Sequence, residues 1–212
     1  MAPKKRKRNN WLQRHKRDIF VRKARSHGYR SRAVYKLQEI DERDHLFHQG
    51  QVVLELGAAP GGWTQYAHGR VGPRGTVVAV DVIDMAPITG VIFIHGDITD
   101  LAVKKQIIDL LQGDGLADLV ISDMAPNITG IRVVDQSRAL TLVEQSLEVA
   151  LNVLRPGGTL LVKLFAGGDI PDFRHRCALY FKQCVVRKPA ASKERSREFY
   201  LLARGFIGDI RR

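Results

Sequence analysis

Cysteine is nearly absent from this 212-residue chain, which holds two, Cys177 and Cys184. They lack CxxC spacing and are too few for a disulfide framework or a thiolate metal site. They read as reduced thiols of a cytosolic type of compartment. Long apolar runs are missing too. None approaches the ~20 residues that a membrane span requires, and no apolar segment of the secretory-signal kind follows the basic N-terminus. His45 and His48 would make a metal pair, but no further ligand cluster accompanies them, so no metal is expected. What is present is 44% hydrophobic residues, enough for a packed core and too many for a disordered chain. At this length that means one domain with an appended arm.

Acidic residues are scarce in one place. Residues 1–32 carry 13 Lys/Arg against a single acid, Asp18, while the remaining 180 residues balance 21 bases with 21 acids. The whole net charge of +12 therefore sits in the arm. Such an arm binds polyanions by releasing counterions. Trp11, Phe20 and Tyr29 interleave the charges, which favours RNA over simple solvation. Residues 1–30 are expected to be this RNA-contacting arm and 31–212 the globular domain. "PKKRKR" alone also fits a nuclear-import signal, a weak pattern by itself.

Past the arm, "SRAVYKLQEIDERDHL" (31–46) predicts a helix capped by Ser31, with Val34, Leu37 and Ile40 on one face. Five β-branched runs follow, at 51–56, 75–82, 90–97, 117–123 and 157–165. Near-continuous apolar strands imply burial on both faces, as in a parallel sheet covered by helices. Leu140, Val143, Leu147, Leu151 and Leu154 mark a long helix that stops at "RPGG". The last runs, "KQCVVRKP" and "EFYLLARGF", have only a polar loop between them and should pair antiparallel.

The first strand runs into "LELGAAPGGW". Its glycines, Gly57, Gly61 and Gly62, do not form the G-x-G-x-x-G of a dinucleotide site, and no G-K-[ST] of a phosphate loop follows. Close backbone approach at Gly57 and Gly61, with Pro60 stiffening the turn and able to start a helix, suits an adenosine ligand without a pyrophosphate. Asp81 would accept from ribose hydroxyls and Asp97 from an adenine amino group.

"LGAAPGGW", "SDMAPNITG", "LLVKLF" and "SREFYLLARGF" resemble motifs of the FtsJ/RrmJ (RlmE) family, in the same order from about residue 20 to 206. Glu55 stands where that family usually has Asp, and "VDVIDM" departs from the usual run while keeping Asp81. The resemblance implies an α/β, Rossmann-like class I methyltransferase. Its sheet would have seven mostly parallel strands, an antiparallel C-terminal strand and helices on both faces. It implies S-adenosyl-L-methionine as cofactor, held by Gly61, Trp63, Asp81, Asp97 and Asp123. It also implies transfer to a uridine ribose 2′-hydroxyl in 23S ribosomal RNA, met on the assembled 50S particle in ribosome maturation. A cytoplasmic monomer acting on the large ribosomal subunit, with no membrane or DNA partner, is expected.

The family's tetrad falls on Lys36, Asp123, Lys163 and Glu198. A ribose hydroxyl needs a nearby base, and lysine serves only when a second ammonium and partial desolvation act on it. This makes Lys163 the expected base, with Lys36 beside it, Asp123 orienting it and Glu198 anchoring the lysines. A charge after "TLLV" is an odd choice for a core strand. A plainer role, in which Lys163 only positions the hydroxyl, stays open. So do tRNA or an mRNA cap as substrate, a non-catalytic RNA-binding assembly factor, and, least supported by the glycine pattern, a dehydrogenase.

Overall fold

The computed structural model describes residues 19–114, 116–166, 170–192 and 196–208. Most of the basic arm, with Trp11, lies outside them. Helices α1 (Ile19–Ser26) and α2 (Val34–Asp44) lead into β1 (Val52–Leu56), α3 (Gly62–Val71), β2 (Thr76–Asp81) and β3 (Val91–His95). There follow α4 (Leu101–Asp114), β4 (Ala117–Ser122), α5 (Arg132–Val153), β5 (Leu154–Phe165), α6 (Ile170–Ala178), β6 (Phe181–Arg187) and β7 (Glu198–Phe206). Among the described residues no helix is long and apolar enough to cross a membrane.

The strands form one seven-stranded sheet in the order β3-β2-β1-β4-β5-β7-β6. Neighbours from β3 to β5 run parallel, and β7 runs against both β5 and β6. Successive strand residues point to opposite faces. Val53, Val77, Leu119 and Leu161 lie under Leu37 and Ile40 of α2 and Trp63, Ala67 and Val71 of α3. Leu54, Val78, Val120 and Leu160 lie under Ile107 of α4, Val143 and Leu147 of α5 and Phe173 of α6. Burial on both faces explains why the strands read as unbroken apolar runs.

Three local expectations change. Ser31 does not cap α2: the N-cap is Ala33, whose N–H donates to Ser31 Oγ at 3.1 Å, while Val34 N–H donates to the Ser31 carbonyl at 3.3 Å. A tight i→i+3 turn precedes the helix and takes the serine for itself. β5 starts at Leu154, immediately after α5, and not at 157. Ala117 pairs with Leu154 but Leu119 with Thr159, so "RPGG" is absorbed in an irregularity of the ladder. Finally, Ala24 of α1 is buried with Val34, Tyr35 and Ala191, so the end of the expected arm packs on the domain.

Candidate active site

The sheet extends outward from β1 and β4 in opposite directions, and a cleft of about 610 Å³ opens at their carboxyl ends, where such sheets bind ligands. Gly57 starts its wall at φ 81°, and a Cβ there would stand 2.6 Å from Met124 Cγ, so no side chain fits. Gly61, at φ 103°, is the N-cap of α3. Pro60 therefore precedes the helix and does not open it. The Arg30 guanidinium donates to the carbonyls of Ala86 (2.6 Å) and Pro87 (3.0 Å) and lies 3.4 Å from that of Pro60, clamping the loop from outside.

Asp81, at the end of β2, accepts from Ala59 N–H through Oδ2 and from Ile83 N–H through Oδ1, both at 2.8 Å. Each oxygen keeps a lone pair for a hydroxyl donor. Asp97 accepts from Thr99 N–H and Oγ1 at 2.8 Å. Asp81, Asp97 and Asp123 line the cleft together with the apolar Ile83, Ile98, Met124 and Leu142. Carboxylate acceptors beside an apolar wall and a bare backbone fit an adenosine carrying an apolar-stemmed chain. Gly61 and Trp63 stand behind this wall. Trp63 is buried, its indole donating to the Ala33 carbonyl at 2.8 Å and its ring packing on Tyr200 at 5.7 Å between centroids.

The four tetrad residues form two ion pairs. Lys163 Nζ lies 3.1 Å from Asp123 Oδ1 and also donates to the Asp123 carbonyl. Lys36 Nζ lies 2.6 Å from Glu198 Oε1. Lys163 is only 6% exposed, where a charge is tolerated only with partners. The antiparallel β5–β7 register unites the pairs, setting Lys163 opposite Tyr200 and Phe165 opposite Glu198. α2 brings Lys36 from the neighbouring layer.

One buried side chain at this site, Tyr200, escaped the reading of the sequence. Tyr200 donates its hydroxyl to Asp123 Oδ1 at 2.7 Å, the carboxylate oxygen that faces Lys163. Burial, with the Asp123 charge beside it, holds this phenol well above its ordinary value, so it remains a donor. The signal was available: Tyr200 follows Glu198 by two and shares its face, and a buried tyrosine hydroxyl requires a partner. Glu55, 1% exposed, accepts from Thr64 Oγ1 at 2.7 Å. Burial pushes its carboxyl up to about 8, against the opposing Thr64 hydrogen bond, with Asp123 and Asp81 adding to the rise.

The sheet is that of a Rossmann-like methyltransferase, with a lysine–carboxylate cluster adjoining the cleft. A family model described as FtsJ-like methyltransferase matches residues 29–206, and the chain belongs to that family. It is 50% identical over 195 residues to the ribosomal RNA large subunit methyltransferase E of Nitrosospira multiformis, covering 92% of this chain and 94% of that one. The protein of the same name from Pseudomonas aeruginosa PAO1 is 48% identical over 199 residues, covering 94% and 96%. The crystal structure of a ribosomal RNA methyltransferase from Plasmodium falciparum superimposes with a TM-score of 0.77 at 28% identity, covering 85% of this chain and all of that one.

Proposed function

We infer that this chain transfers the methyl group of S-adenosyl-L-methionine to the ribose 2′-hydroxyl of a uridine in 23S ribosomal RNA, on the assembled 50S particle. The observation that carries the reading is the buried Lys163–Asp123 pair at the sheet's carboxyl edge, with Asp123 also lining the cleft. Relatives named for the large-subunit RNA support the substrate class.

When bound, S-adenosylmethionine supplies a methyl already activated on a positive sulfur, so the protein must position the partners and accept a proton. Asp81 would hold the ribose hydroxyls and Asp97 the adenine edge, with Gly57 allowing close backbone approach. Lys163 takes the 2′-hydroxyl proton. Its contacts to the Asp123 carbonyl and Oδ1 hold Nζ in place where the incoming hydroxyl would meet it. Tyr200 fixes that carboxylate, and Glu198 holds Lys36 beside the substrate path.

The test is labelled methyl transfer to large subunits, protein-free ribosomal RNA and tRNA, with the modified nucleotide mapped. A 2′-O-methyluridine in the large-subunit RNA is expected; label in tRNA alone, or on a base, contradicts the reading. Calorimetry should find S-adenosylmethionine binding and no tight NAD binding.

A further inference from the structure

Helix α5 is a wall shared by two cavities. Arg138, Thr141 and Leu142 face the cofactor cleft. Val133, Gln136, Ser137 and Leu140, three and four residues apart, face a second groove of about 270 Å³ that Phe165 and Phe173 also line. Because α5 follows β4 and α6 follows β5, the groove opens at the same carboxyl edge of the sheet as the cleft. Its rim is apolar yet exposed at Val133, by 75%. The segment is also fixed in place. Thr129 donates through N–H and Oγ1 to Asp135 Oδ1, both at 2.7 Å, and Gly130 N–H to Oδ2 at 3.1 Å.

Phe165 links this groove to the reacting centre. Its ring centroid lies 5.7 Å from Lys163 Nζ, and it pairs with Glu198 across the β5–β7 ladder. A ribose held at Lys163 therefore brings its chain neighbours to the groove. An apolar slot with an aromatic wall and the amide and hydroxyl of Gln136 and Ser137 matches an unstacked base, which is read by stacking and by hydrogen bonds to its edge. Exposed Arg132 and Arg138, with the amino end of α5, favour the flanking phosphates.

We propose that the groove between α5 and α6 is the docking site of an unpaired nucleobase adjacent to the methylated nucleotide. The proposal rests on the ribosomal RNA reading above.

Steady-state methylation of unmodified large subunits tests it, with Val133→Asn and the conservative Val133→Ile. Val133→Asn is expected to raise KM for the particle about five- to tenfold, within the range of weakening the stacking of one base. Its kcat and its affinity for S-adenosylmethionine should match the parent, as should the KM of Val133→Ile. A photoreactive benzoylphenylalanine at position 133 should crosslink to RNA in the particle. An unchanged KM for Val133→Asn overturns the proposal, and so does a crosslink confined to ribosomal protein, which would make the groove a protein-docking site. A parent chain that leaves ribosomal RNA unmethylated overturns the functional reading itself, a result separable from both.

Discussion

The Tyr200 hydroxyl lies 2.7 Å from Asp123 Oδ1, the same oxygen that faces Lys163 Nζ at 3.1 Å. One carboxylate oxygen thus joins a buried phenol on β7 to a buried amine on β5. Tyr200→Phe keeps the ring that packs on Trp63 and removes only this anchor. A hydrogen bond to a charged group contributes about 1.5–3 kcal/mol, so a fall in kcat of roughly tenfold or more is expected. Binding of S-adenosylmethionine, measured by calorimetry, should stay within about twofold of the parent. An unchanged kcat would remove Tyr200 from the positioning of Asp123.

Glu55 predicts a pH dependence of stability. Its carboxyl is raised from an ordinary 4.5 to about 8 by burial. The folded chain therefore keeps a proton that the unfolded chain releases within that interval. Stability falls as pH rises from the unfolded value toward 8. Glu55→Gln retains an acceptor for Thr64 and removes the titration. Its Tm at pH 8 should exceed the parent's by several degrees, about 3–8 °C for a chain of this size, and the gap should close toward pH 5. Thermal melts across that range check this; a gap that widens toward acid contradicts it.

Asp81 offers the cleft its hydroxyl acceptor while tying Ala59 and Ile83 to the end of β2. Asp81→Ala removes both roles, and the Kd for S-adenosylmethionine should rise about 10- to 100-fold, matching removal of one or two charge-assisted hydrogen bonds. Calorimetry measures this directly. Retained affinity would move the ribose contact elsewhere.

The arm makes a prediction of another kind. Residues 1–18 carry eight Lys/Arg and one acid, and α1 starts at Ile19. Deleting 1–18 should weaken binding to ribosomal RNA and lower the slope of log K against log salt by about 0.7–0.9 for each phosphate that the arm neutralises. Cofactor affinity should survive. A salt slope equal to the parent's would make the arm a bystander.

Much of this was legible in the residues, because burial on both faces leaves unbroken apolar runs and a short polar loop without a crossover helix allows only a hairpin between β6 and β7. Lys163 stood out because a charge in a core strand is rare. Its relation to Glu198 was not legible from periodicity: it depends on β7 reversing, which sets Phe165 opposite Glu198. Tyr200 was not singled out, because its partner Asp123 follows β4, two strands away across the sheet. Trp63, beside the glycine loop, pointed in sequence to the cleft, yet its face of α3 turns it to the core. Ser31 illustrates the limit of capping rules, since a turn competed successfully for its hydroxyl.

The most direct test of the account is the single-turnover rate of Lys163→Arg on large ribosomal subunits, beside Lys163→Ala and the parent. Arginine keeps the positive charge and cannot serve as a base. If Lys163 removes the 2′-hydroxyl proton, both variants should fall by about 10²–10⁴-fold, the usual contribution of a positioned base. A Lys163→Arg chain that methylates at near-parental rate would contradict the account and leave Lys163 as a positioning charge.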